Sequence, residues 1–231
     1  NKSTELLLWS GHANPTEYDI GLVYAANVGN LNGGQTSITK TSPLLAMIGP
    51  YGINVGPYYQ TYAPISNEEP YTNVWSEPKW GFQRVIETFE LTDKPIRFKP
   101  IDIYYHFYSA STNASMIALK KVYDWALQQE TMPIFASEYV EKMLDATNMI
   151  VTPIGDGWQI TTSGFLRELR VPKAFGYPDL LRSRNVIGFK QINDDLYLHL
   201  GSDTVSTIYF APQPPQQPYL VSANARLKYT K

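Results

Sequence analysis

The stretch ELLLWSGHANPTEYDIGLVYAANVGNLNGG, residues 5–34, decides the architecture of the first part of the chain. ELLLW is a short apolar run ended by Ser10 and Gly11, the pattern of a buried strand. Asn14 and Pro15 mark a loop. Thr16 is placed to cap a helix in which Tyr18, Leu22, Tyr24, Ala25 and Val28 keep helical spacing until Gly29. NLNGGQTSIT then predicts a brief strand broken by Gly33 and Gly34, where conformations closed to other residues become available and a ligand can approach closely. Strand, helix, strand is the β/α rhythm.

That rhythm is expected again downstream. Residues 101–107, IDIYYHF, read as a strand. Ser111 or Asn113 is expected to open the helix ASMIALKKVYDWALQQ, with Met116, Leu119, Tyr123, Ala126 and Leu127 as its apolar stripe. Residues 133–135 read as a further strand, and Ser137 as the cap of a helix through YVEKMLDA. Between these β/α units, residues 43–78 read as loops rich in Gly and Pro, with VGPYYQTYA able to hide short strands. Past about residue 148 the helical period vanishes. GWQIT, FLRELRVP, VIGFKQI, DLYLHLG, VSTIYFAP and YLVSANARLKY alternate in short runs, separated by turn residues such as Gly155-Asp156-Gly157 and Asn193-Asp194. The expected fold class is therefore α/β, with a β/α region over residues 1–147 and an all-β, sandwich-like region over residues 148–231.

Composition narrows the function. The 231 residues are 43% hydrophobic and 17% charged, ordinary for a globular protein able to bury one large core or two modest ones. A formal net charge of -2, with no run of Lys or Arg, gives no attraction to phosphate backbones, so nucleic acid is not an expected partner. No apolar stretch reaches the roughly 18 residues of a membrane helix. The absence of cysteine excludes thiolate metal sites and cysteine nucleophiles. An aromatic content of 13%, including 17 Tyr and 5 Trp, suits sugar faces as well as ordinary cores.

Three histidines are the first candidates for chemistry. His106 lies among aromatic and β-branched residues. At the carboxyl end of a strand it could reach a reacting atom while its backbone stays fixed. Alternatively it is a core histidine satisfied by a tyrosine and a carbonyl. His12 sits in the loop after the first strand, and His199 shares a strand face with Tyr197, which reads as surface. No H-x-x-x-H or H-E-x-x-H spacing is present. The adjacent pairs Glu68-Glu69 and Asp194-Asp195 read as solvated turns. Trp9 and Trp75 adjoin loop glycines or polar residues and are candidates to stack on pyranose rings, against core packing as the competing reading.

LLLWSGHANP, NLNGGQTSIT, YTNVWSEPKWGFQRVIETFELTD and PIDIYYHFYSASTNASMIALKKVYDWALQQ together resemble the carboxyl-terminal part of the PelA-like proteins, the bifunctional glycoside hydrolase and polysaccharide deacetylase proteins of Pel exopolysaccharide systems. The resemblance covers approximately residues 5–200. It implies part of a distorted β/α barrel of the polysaccharide deacetylase type followed by a β-sandwich, in the periplasm or outside the cell. It also implies removal of acetyl groups from an acetylated aminosugar exopolysaccharide, with other envelope proteins of the biosynthesis system as further partners. In that family a divalent metal, usually zinc, polarises the acetyl carbonyl and activates water, and a separate histidine on a late strand protonates the departing amine. The resemblance maps that histidine to His106. It implies substrate contacts from Trp9, His12, Asn32, Gly33, Gly34, Gln35, Trp75 and Tyr105. The family's Asp and paired-histidine metal element has no counterpart in this sequence, so the metal would be held by the full-length parent and not by this chain alone. The sequence also departs from the family at His12 and Gln35, where acidic residues are expected. The alternative is a non-catalytic glycan-binding or scaffold module.

Overall fold

The computed structural model describes residues 4–10, 13–72, 79–93 and 96–215. It is a mixed α/β chain that divides into two compact units, Asn1–Leu144 and Asp145–Lys231.

The first unit begins with β1 (Leu6–Trp9), α1 (Glu17–Ala25) and β2 (Gly29–Asn32). Thr16 caps α1 through a reciprocal box in which its hydroxyl accepts from the Asp19 backbone N–H while the Asp19 carboxylate accepts from the Thr16 backbone N–H. β1 and β2 run parallel, with Leu8 opposite Leu31 and Trp9 opposite Asn32. The loop-rich middle conceals a hairpin of β3 (Gly52–Val55) and β4 (Tyr58–Tyr62). Gly56 turns it at φ +59, a conformation that costs side chains with a Cβ. β4 lies parallel to β2, giving a four-stranded sheet in the order β1-β2-β4-β3. Among the described residues this sheet is open and closes no barrel.

After α2 (Val85–Leu91), residues 101–106 form no strand, contrary to the strand expected there. The alternation is present but the ladder is not. Ile101, Ile103 and Tyr105 pack on one cluster of buried residues that includes Phe82, Val85, Phe89 and Val122, while Tyr104 packs on another built from Leu31, Ala63, Tyr139 and Val140. An extended segment wedged between two cores shows period 2 without a neighbouring strand. Residues 133–135 also lie outside any strand, with Phe135 78% exposed, so the β/α repetition expected here is absent.

α3 (Asn113–Leu127) is capped by Thr112, which lies between the two residues expected to open it, again in a reciprocal box, with Ser115. Its buried face is Ser115, Ala118, Leu119 and Val122, so the expected stripe holds at Leu119 but not at Met116, Tyr123 and Leu127, which are exposed. Each large side chain fully buried in this cluster, such as Phe89, contributes about 1.5–3 kcal/mol. α4 (Ala136–Asn148) follows, and Ser137 lies inside it rather than at its cap.

The second unit contains β5 (Ile150–Ile154), β6 (Gly157–Thr161), β7 (Glu168–Pro172), β8 (Tyr177–Pro178), β9 (Val186–Ile192), β10 (Asp195–Leu200) and β11 (Val205–Ala211). These make two antiparallel sheets, β5-β6-β11-β8 and β7-β10-β9. Ile160 and Ile208 from one sheet and Leu196 and Leu198 from the other form a single buried cluster. The expected turns hold the hairpins, with Gly155 at φ +59 and Asn193 at φ +54. Asp145 is buried and accepts backbone N–H bonds from Ser163, Phe165 and Leu166, fixing the loop before β7. The run YLVSANARLKY lies outside the described residues.

Candidate functional site

The parallel strands β2 and β4 end on the same side of the first unit, and the backbone after each builds one wall of a cleft. Asn32 closes β2, and its amide donates to the Ala13 carbonyl at 3.1 Å while its Oδ1 accepts from the Gly33 N–H at 2.8 Å. Beyond it, Gly34 passes so close to the neighbouring chain that a Cβ would stand 1.9 Å from the Ala63 carbonyl oxygen. The Ser66 hydroxyl donates to the Gly34 carbonyl at 2.9 Å and ties the two loops together. The resulting cleft has a volume of about 530 Å³, and Asn32, Gly33, Gly34, Gln35, Asn67 and Glu69 are among its lining.

Behind this wall the segment around Glu68 meets residues 106–109. Glu68 caps a 3-10 turn over Glu69–Tyr71, with Pro70 in its first turn, and is 1% exposed. The expectation of a solvated Glu68-Glu69 turn is therefore wrong for Glu68. Its carboxylate is surrounded by donors: the His106 ring through Nδ1 at 2.9 Å, the His106 backbone N–H at 3.2 Å, and the Ser109 hydroxyl at 2.5 Å. A buried carboxylate is tolerated when such charge-assisted bonds replace its hydration. Nδ1 bonded to a carboxylate is the nitrogen that carries the proton in the neutral ring.

His106 is held from its faces as well. Tyr108 stacks on it at 5.0 Å with planes 13° apart, and the Lys79 ammonium sits 4.2 Å above the Tyr108 ring. Partial desolvation, followed by the charges of Glu68 and Glu69, raises the Tyr108 phenol above its ordinary pKa, keeping it neutral. The His106 side chain is 23% exposed, so it is neither sealed in the core nor loose on the surface. Two residues earlier, Tyr104 is likewise kept neutral by burial and by Asp102 and Glu68. Burial pushes the Asp102 carboxyl up to about 6, opposed by a hydrogen bond from the Ile65 backbone.

The remaining sequence candidates fall in different places. Asn32, Gly33, Gly34 and Gln35 come together in the cleft, whereas Trp9 stands across the ladder from Asn32 and is not among the residues lining it. Tyr105 points away from His106 into the core, its ring 6.3 Å from that of Phe82 and 6.5 Å from that of Tyr123. His12 and Trp75 lie outside the described residues. His199 is exposed on β10, on the face of Tyr197. Sequence reasoning missed Glu68, Ser109, Asn67 and Glu69 as parts of the site.

Among the described residues no group of three or more His, Cys, Asp or Glu side chains converges to hold a metal ion. The described residues alone therefore offer no ligand set for the divalent metal, which the family resemblance places in the full-length parent. Among the same residues no helix is long and apolar enough to cross a membrane. No family model, curated protein or solved structure matches this chain.

Proposed function

We propose that the chain is the carboxyl-terminal part of a PelA-like extracytoplasmic polysaccharide N-deacetylase, with His106 as its proton-transfer group and the adjoining cleft as its glycan site. On this reading the first unit is part of a distorted β/α barrel, the second is a β-sandwich, and the metal ligands come from polypeptide outside these residues. The substrate is an acetylated aminosugar exopolysaccharide, and the protein works in the periplasm or outside the cell alongside other envelope proteins of the same system.

The observation that carries the reading is the Glu68–His106 pair. Amide hydrolysis adds water across the C–N bond, releasing acetate and leaving an amine that must take up a proton as the bond breaks. His106 is equipped for that transfer. On this reading Glu68 fixes the ring tautomer, and Nε2 is the nitrogen that would deliver the proton to the departing amine. Ser109 and the His106 backbone N–H hold the carboxylate in place, and Tyr108 fixes the ring plane. The cleft supplies amide and hydroxyl groups able to hydrogen-bond sugar hydroxyls.

The test is His106→Ala in the longer protein, followed by acetate release from an acetylated aminosugar polymer. General-acid loss lowers turnover by about 10²–10⁴-fold, and unchanged turnover overturns the assignment. One observation favours a non-catalytic glycan-binding module instead: His106 is not among the residues lining the cleft. A binding module retains affinity for the polymer in this 231-residue chain and shows no change in polymer processing when His106 is replaced.

A further inference from the structure

The second unit holds an apolar pocket of about 260 Å³ between its two sheets, bounded by Val151, Trp158, Ile160 and Ile208 of one sheet and Leu169 and Val171 of the other. Arg170 also borders it, but its guanidinium is engaged by Asp195. Protein interiors tolerate few voids larger than a water molecule, so apolar space of this size calls for an occupant. The pocket reaches β5, the end strand of β5-β6-β11-β8, which has no further ladder partner among the described residues. The first four residues of β5 are all exposed, Ile150 at 60% and Val151 at 48%. An apolar strand with a free edge and an uncovered inner face is a template for one more strand.

β5 and β11 both run antiparallel to β6 and therefore parallel to each other, so β11 finishes beside the Ile154 end of β5. From there, passing β6 and β5 takes three strand spacings, about 14 Å, while residues 212–218 can span up to about 23 Å. The residues that follow, YLVSANARLKY at 219–229, place Tyr219, Val221, Ala223, Ala225, Leu227 and Tyr229 at alternate positions, with Ser222, Asn224, Arg226 and Lys228 between them. Such alternation suits a strand with one buried face. We propose that this carboxyl-terminal segment is the occupant: residues 219–229 dock antiparallel along the free edge of β5 and close the pocket. Val151 and Pro153 share the inner face with Ile160 and Trp158, whereas Thr152 shares the outer face with Gln159. The apolar residues of the segment then cover Val151 and Pro153, and its polar residues lie beside Thr152. The proposal stands apart from the deacetylase reading and does not depend on it.

The chain has no cysteine, which permits a clean crosslinking test in the full 231-residue chain. Thr152→Cys is combined in turn with Ser222→Cys, Asn224→Cys and Arg226→Cys, and each pair is oxidised at low protein concentration and read on a non-reducing gel and by peptide mass. The proposal expects at least one of these pairs to close a disulfide within a monomer. None should do so when Thr152→Cys is replaced by Lys190→Cys, which lies on β9, an edge strand of the other sheet. Adding Val221→Asp together with Leu227→Asp should abolish the crosslink to position 152 and raise uptake of a dye that reports apolar surface. No crosslink to position 152, or equal crosslinking to positions 152 and 190, overturns the proposal. Crosslinks only between two chains overturn it in favour of a second copy on the same edge. Unchanged crosslinking or unchanged dye uptake in the aspartate variant overturns it as well.

Discussion

Glu68 and His106, 38 residues apart in sequence, meet with Oε1 2.9 Å from Nδ1. The same carboxylate oxygen also accepts from the His106 main chain and from the Ser109 hydroxyl. One buried acceptor thus organises a histidine, its backbone and the turn after it.

The first prediction follows from that concentration of bonds. Glu68→Ala leaves a ring N–H, a backbone N–H and a hydroxyl without their acceptor in a site shielded from water. It should cost about 3 kcal/mol of stability. Ser109→Ala removes a donor and leaves the others in place, and should cost about 1 kcal/mol. Urea unfolding of the two variants checks the order; equal losses would mean that Glu68 is not the hub.

Asp102 gives a pH-dependent prediction. Its carboxyl is raised from 3.8 to about 6, so the folded state holds the proton more tightly than the unfolded state does. The stability it contributes is complete below pH 3.8 and is lost as pH rises through about 6, a swing of about 2–3 kcal/mol. Asp102→Asn can still accept from Ile65 but does not ionise, so it should be more stable than wild type at pH 7.5 and equal to it near pH 3.5. Thermal unfolding across that range tests this. A constant difference at all pH values would show that ionisation of Asp102 is not its source.

Gly34 predicts a sensitive point in the cleft. An added Cβ would meet the Ala63 carbonyl oxygen at 1.9 Å and the Ile65 carbonyl oxygen at 3.0 Å, both backbone atoms that do not rotate away. Gly34→Ala should therefore cost about 2–3 kcal/mol and weaken glycan binding by spreading the two loops. Gly188→Ala, where an added Cβ meets nothing within 4 Å, is the control and should be nearly neutral.

Thr112 and Asp145 test two anchors outside the cleft. Thr112→Ala removes the cap of α3 and should cost about 1 kcal/mol. Asp145→Ala strands the N–H groups of Ser163, Phe165 and Leu166 and should cost more, about 2–4 kcal/mol. Hydrogen exchange at those three amides should quicken in the second variant and not in the first.

What could be read from the sequence was local. Thr16 and Asp19 are three residues apart, and the helix they start follows from their chemistry alone. The alternating runs after residue 148 form strands because apolar residues every second position need a sheet face to cover. Residues 101–106 show the limit. Their alternation is real, but pairing depends on a neighbour that no local pattern specifies. Asn32 to Gln35 could be marked as a ligand approach from the glycines. Glu68 could not, because its environment is made by residues 38 and 41 positions away. Two adjacent glutamates look solvated, yet at the start of the 3-10 turn Glu68 is buried and Glu69 lines the cleft.

The most direct measurement of the central claim is a double-mutant cycle in the longer protein, comparing acetate release by Glu68→Gln, His106→Ala and the double variant, with each shown to be folded by circular dichroism. If Glu68 acts through the His106 ring, Glu68→Gln lowers turnover on its own and costs nothing further once the imidazole is gone. Independent, multiplicative losses, or full turnover in either single variant, would contradict it.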